Sequence, residues 1–194
     1  MKVKICGIRT IEAAIAAVEA GADFLGFNFV PTSRRRIEVD IARQIAKEVK
    51  EKIYIVGVFQ NQDIEKIEDI VEYVGLGFVQ LHGDESPAYV EQVKTKVIKV
   101  FNSKTINTMS RYSDCMYLLD RDKQGEGEMI DLEKARVTAK KFSLFLAGGL
   151  TPENVKDAIE KVRPYAVDVA SGVETNGEQD LEKIKLFIER AKVL

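Results

Sequence analysis

Eight short apolar runs recur along the chain at roughly even intervals, and longer, more polar stretches separate them. The runs are Val3 to Cys6, Phe24 to Phe29, Ile53 to Phe59, Phe78 to Leu81, Val97 to Phe101, Met116 to Asp120, Leu144 to Ala147 and Ala166 to Ala170. Their length and their Val, Ile and Phe content predict buried strands. Several intervening stretches place apolar residues three and four apart. Ile11, Ala14, Ile15 and Val18 share one helical face, and Ile64, Ile67, Ile70 and Val71 share another. Val155, Ala158, Ile159 and Val162 repeat the spacing, as do Leu181, Ile184, Leu186, Phe187 and Ala191. Each set predicts a helix packed by that face. Thr151-Pro152 and Ser86-Pro87 read as helix caps followed by proline at the first helical position, where no backbone donor is needed. Asp63 and Asp180 are further candidate caps, and Gly21 is a candidate helix stop.

Strands that alternate with helices pair in parallel through right-handed crossovers. Eight such units predict a closed (βα)8 TIM barrel, of the ribulose-phosphate-binding type once the resemblance below is added. The 194 residues require short loops. No linker, low-complexity tract or change in composition divides residues 1–194, so one barrel domain is expected.

Composition narrows the functional classes. A net charge of −2 offers no broad cationic field, which argues against nucleic acid as a partner. No apolar stretch has the length of a membrane span, and no signal-peptide pattern opens the chain. Two well-separated cysteines fit a reducing compartment, so a cytoplasmic location is expected. His82 is the single histidine and no cysteine pair has zinc spacing, so no metal site is predicted. The Lys/Glu/Ile-rich composition hints at a thermophilic source.

In a (βα)8 barrel the C-terminal strand ends share one mouth, where chemistry is done. Cys6 ends the first strand and is followed by Gly7. It is a candidate base or nucleophile, and equally a small buried apolar residue. Cys115 precedes the sixth strand and reads as structural. Asp120 ends the sixth strand, where partial desolvation would raise its pKa and suit a general acid; it also fits a turn. Asp168 lies inside an apolar run and needs a partner, a ligand or an outward orientation. Gly148 and Gly149 follow strand seven, and Ser171 and Gly172 follow strand eight, the corner where phosphate often binds. Arg34, Arg35 and Arg36 follow strand two, and one of them could grip a carboxylate in two-point fashion. His82, after strand four, is a structural group or a catalyst.

Taken together, Lys4-Ile5-Cys6-Gly7-Ile8, Gln80-Leu81-His82-Gly83, Leu118-Leu119-Asp120, Gly148-Gly149-Leu150-Thr151-Pro152 and Val167-Asp168-Val169-Ala170-Ser171-Gly172-Val173-Glu174 resemble the phosphoribosylanthranilate isomerase family of tryptophan biosynthesis. The resemblance runs from residue 2 to the C-terminus. It implies an Amadori rearrangement, aldose to ketose, with no metal and no organic cofactor. It assigns catalysis to Cys6 and Asp120, and the substrate carboxylate to Arg35, with Arg36 as the rival. It assigns phosphate to Gly148, Gly149, Ser171 and Gly172, and places Asp168 near the sugar, with His82 among the binding residues. Cys6 as thiolate and Asp120 as acid imply pKa values pushed in opposite directions. The partner is then a small phosphorylated substrate, with monomer and homodimer both open.

Three positions depart from the family pattern. Arg36 replaces an aromatic residue, and Arg9 replaces threonine. Gln124-Gly125-Glu126-Gly127-Glu128 replaces a longer glycine-rich loop. Two alternatives stand beside the isomerase: a histidine-pathway enzyme running the same rearrangement, whose family has aspartate where this chain has Cys6, and a barrel that binds a phosphorylated ligand without turnover.

Overall fold

The computed structural model describes residues 1–121 and 130–193. Eight strands, β1 (Lys2–Cys6), β2 (Phe24–Asn28), β3 (Tyr54–Phe59), β4 (Phe78–Leu81), β5 (Lys96–Phe101), β6 (Cys115–Leu119), β7 (Leu144–Leu146) and β8 (Ala166–Val169), form a closed barrel in chain order. Every neighbouring pair is parallel, and β8 returns to pair with β1 through Lys4 and Asp168. Each predicted run is therefore a strand. Asp120, Ala147 and Ala170, expected as final strand residues, instead open the loops above the barrel.

The helices are α1 (Ile11–Glu19), α2 (Val39–Val49), α3 (Ile64–Val74), α4 (Pro87–Val90), α5 (Leu132–Ala139), α6 (Val155–Val162) and α7 (Leu181–Lys192). Ser86 caps α4 by accepting from the Tyr89 N–H, and Asp180 caps α7 through the Glu182 and Lys183 N–H groups. Asp63 occupies the cap position of α3 without a side-chain bond. Gly21, at φ +93°, follows the end of α1.

Two expectations of the crossovers need correction. Thr151 does not cap α6, which begins at Val155. The Asn154 side chain accepts from the Thr151 N–H at 2.8 Å and donates to the Gly149 carbonyl at 2.9 Å. That local bonding holds residues 151–154 in a turn instead of a first helical turn. The crossover between β5 and β6 holds only a 3-10 turn, Ile106–Arg111. Asn102 precedes it and accepts from the Lys104 and Thr105 N–H groups, again local bonding that competes with a helix. After β8 the chain makes a 3-10 turn, Ser171–Val173, then a small hairpin of β9 (Glu174–Thr175) and β10 (Glu178–Gln179), before α7.

Side chains alternate across each strand. In β1, Val3 and Ile5 face the helices and join the outer core with Ala13, Ala14 and Ala17 of α1 and Ile184, Phe187 and Ile188 of α7. The barrel interior is filled by Phe24, Val56, Phe78, Ile98, Leu118 and Phe145. Phe24 meets Phe78 and Phe145 with ring centroids 5.6 and 5.3 Å apart. This aromatic plug closes the N-terminal end, so ligand access is from the opposite end.

Candidate active site at the barrel mouth

At the C-terminal end the strands open into a cleft of about 1180 Å³. Its wall includes Arg35, His82, Asp120, Gly148, Gly149, Asp168, Ser171 and Gly172. Eight of the ten residues expected at the site thus share one cavity. Cys6 is not on the wall itself. It is 9% exposed and packs against Val30, Val58 and Ala170, all three of which are on the wall. Arg36 is outside the cleft: it is paired with Glu38 at 3.4 Å, and both side chains are exposed. The Gln124–Glu128 stretch lies outside the described residues.

Cys6 is positioned by a glycine. Gly26 of β2 is its register partner, and the space that a Gly26 side chain would occupy is taken by the sulfur. Lys4, two residues earlier and on the same inward face, is fully buried and donates to Asp168 Oδ1 at 2.8 Å. Burial pushes the Cys6 thiol up and Asp168 adds to the rise, while Lys4 and Arg35 pull it down; the net direction is upward. Lys4 is disfavoured as a cation by burial, but Asp168 and Cys6 more than offset this, and its pKa is raised.

Asp120 is raised chiefly by burial, against the charge of His82 and the backbone N–H of Arg121, which donates to Oδ1 at 2.8 Å. His82 Nε2 is 3.8 Å from Asp120 Oδ2. Burial lowers the His82 pKa against the pull of Asp120, which favours the neutral imidazole. Both candidate catalytic groups are therefore pushed up. The expectation of opposite shifts fails because desolvation dominates at both and the carboxylate of Asp168 sits beside the thiol.

Gly148 stands at φ +87°, and a side chain there would meet the Asp120 carboxylate at 3.2 Å and Arg121 N at 2.9 Å. Gly172 lies so close to the loop after β7 that a side chain would strike the Leu150 carbonyl at 1.9 Å. Glycine at these positions lets the loops after β7 and β8 close side by side.

Arg35 donates from Nε and from one terminal nitrogen to the two oxygens of Glu174, at 2.5 and 2.9 Å. Glu174 more than offsets the burial of this guanidinium, which also feels the charges of Cys6 and Asp120. Gly7 makes room for its stem: a side chain there would meet Arg35 Cδ at 2.6 Å. Arg9, unexplained in the sequence, donates to the Gly177 carbonyl and to Glu178, each at 2.8 Å. It thereby fastens the β9–β10 hairpin to the loop after β1.

Lys4, Gly26 and Glu174 were not singled out as site residues, and neither was the buried Lys99–Glu85 pair, 3.1 Å apart. Lys4 and Lys99 did leave a signal, since each is a lone cation inside an apolar strand and such a charge needs a partner. Glu174 and Gly26 left none apart from their surroundings.

A family profile described as N-(5'-phosphoribosyl)anthranilate (PRA) isomerase matches residues 3–190. The chain belongs to the N-(5'-phosphoribosyl)anthranilate isomerase family. It is 43% identical to the isomerase of Geobacter sp. (strain M21) over all of this chain and 98% of that one. It superposes on the crystal structure of the Thermotoga maritima isomerase with a TM-score of 0.92 and 42% identity, covering both chains fully. A family structure in complex with reduced 1-(o-carboxyphenylamino)-1-deoxyribulose 5-phosphate matches with a TM-score of 0.91 and 41% identity, again over both whole chains. The activity is N-(5'-phosphoribosyl)anthranilate isomerisation, an aldose–ketose conversion in tryptophan biosynthesis. Among the described residues, no helix is long and apolar enough to cross a membrane.

Proposed function

We propose that Cys6 and Asp120 carry this isomerisation between two anion grips. The supporting observation is the convergence of a buried thiol from β1 and a half-buried carboxyl from the end of β6 on one cleft, with glycine-rich loops after β7 and β8 and Arg35 after β2. The phosphate rests against Gly148, Gly149, Ser171 and Gly172. The anthranilate carboxylate meets Arg35, which Glu174 holds in a fixed orientation; Arg36 has no part in it. Two fixed ends place the sugar carbons between the sulfur and the carboxyl, and such positioning contributes several kcal/mol toward the barrier.

Asp120, protonated, gives its proton to the furanose ring oxygen. The C1–O bond breaks and the anilino nitrogen supplies the electron pair, leaving an iminium at C1. That cation acidifies the C2–H. Cys6 thiolate takes this proton, and the C–H electrons move into the C1–C2 bond as the C=N π pair returns to nitrogen. The resulting enolamine tautomerises to the C2 ketone. Asp168 faces the sugar, and neutral His82 accepts or donates a hydrogen bond beside Asp120.

The test is steady-state turnover of N-(5'-phosphoribosyl)anthranilate alongside binding of the reduced product analogue. Cys6→Ala and Asp120→Asn are each expected to lose about 10²–10⁴ in kcat while binding the analogue nearly as well as the parent. Near-normal turnover in either variant removes the assigned roles.

A further inference from the structure

Lys4 is the most unusual side chain in the barrel. It is a lysine with no exposed surface, set in the interior of a parallel strand, and nothing in the reaction just described uses it. A buried ammonium is costly unless it is paired. Asp168 supplies a pair at 2.8 Å across the β1–β8 junction. The cation also has a second neighbour. Lys4 and Cys6 lie two residues apart on one strand, so both point inward. The vacant side-chain position of Gly26 is bounded by both, with Cys6 Sγ 2.8 Å and Lys4 Nζ 3.2 Å from it. The ammonium thus stands among a carboxylate, a thiol and a glycine that leaves the space open.

We propose that Lys4 is a positioning residue for the isomerisation: its buried ammonium, tethered to Asp168, is the counter-charge against which the Cys6 thiolate forms. This rests on Cys6 as the base. The charged groups that act on the sulfur are Lys4 from its own strand, Asp168 from β8 and Arg35 from the loop after β2. Gly26 and Val58, from β2 and β3, bring no charge. Arg35 is already engaged by Glu174, which leaves Lys4 as the dominant cation. Asp168 works in the opposite sense, as an anion beside the thiol and a competitor for the ammonium. The pair therefore holds the sulfur as a thiol at rest while keeping a cation in place to receive the thiolate. When the sugar engages Asp168, the ammonium is freed toward the sulfur.

The deciding measurement is the pH dependence of Cys6 alkylation by iodoacetamide. Modified peptides are separated by mass so that Cys115, whose thiol burial pushes up to about 11, serves as an internal reference. Lys4→Gln is expected to move the Cys6 midpoint upward and to lower kcat at least tenfold with a smaller change in KM. Asp168→Asn, which removes the competing anion, is expected to move the midpoint downward. The double variant, with neither charge, falls between the two single variants. Lys4→Gln leaves a buried carboxylate unpaired; if it fails to fold, Asp168→Asn and the double variant decide the matter. An unmoved Cys6 midpoint in Asp168→Asn, or shifts of the same sign in the two single variants, overturns the proposal. Retained turnover in Cys6→Ala overturns the base assignment instead and leaves the alkylation result standing, so the two failures are distinguishable.

Discussion

Gly26 of β2 stands opposite Cys6 of β1, and a methyl group on Gly26 would come within 2.8 Å of the Cys6 sulfur. The thiol fits only because its neighbour has no side chain. Gly26→Ala is expected to displace the sulfur by a fraction of an ångström while the barrel still forms. A shift of that order at a reacting atom costs about 10²-fold in rate. Kinetics and urea denaturation of the same variant check this. A kcat loss with a denaturation midpoint close to the parent's is the expected pair; an unchanged kcat would mean that the sulfur's place is not critical.

The upward shifts of both Cys6 and Asp120 set the form of the pH–rate profile. Catalysis needs the thiolate and the protonated carboxyl together, the minority combination when the carboxyl has the lower pKa of the two. Below the Asp120 pKa, the active form grows as pH rises, because thiolate grows while the carboxyl stays protonated. Between the two pKa values, the gain in thiolate and the loss of carboxyl cancel. Above the Cys6 pKa, activity falls as the last protonated carboxyl is lost. The kcat/KM profile is therefore expected to be flat-topped. Its acid limb belongs to Asp120 and lies above the usual carboxylate range; its alkaline limb lies above that of a free thiol. His82→Gln removes the imidazole that, in its protonated fraction at acid pH, holds Asp120 down, and so moves the acid limb upward. A profile with its acid limb in the ordinary carboxylate range would contradict the burial of Asp120.

Gly172→Ala probes the phosphate corner. Its new methyl group would overlap the Leu150 carbonyl at 1.9 Å, a backbone atom that cannot step aside without moving the loop. The loops after β7 and β8 must part, at a stability cost of about 1–3 kcal/mol. KM for the phosphorylated substrate is expected to rise at least tenfold, with a smaller change in kcat, and inorganic phosphate is expected to inhibit more weakly. Equal inhibition of parent and variant would place the phosphate elsewhere.

The barrel was legible because its signal is repeated eight times: each strand is a short apolar run, and closure follows from the count. Asp120, Asp168 and the glycine pairs were legible because the topology brings every strand end to one mouth. What escaped is relational. Glu174 and Arg35 are 139 residues apart in the chain, and no local pattern announces that one will hold the other. The wrong helix start at Thr151 has a local cause, since the Asn154 side chain satisfies the backbone that a cap would have served. The sign of the Cys6 shift was also out of reach. It depends on how deeply the sulfur is buried and on an anion from the last strand, and spacing encodes neither.

The Lys4–Asp168 contact spans 164 residues of sequence, and Glu174 comes later still. The thiol and its ammonium are thus translated long before the carboxylates that hold the ammonium and Arg35 in place. A polypeptide cut short before Asp168 carries the buried ammonium of Lys4 without its counter-ion, and one ending before Glu174 lacks the clasp on Arg35. The arrangement around the sulfur is therefore complete only when the last stave has zipped against the first.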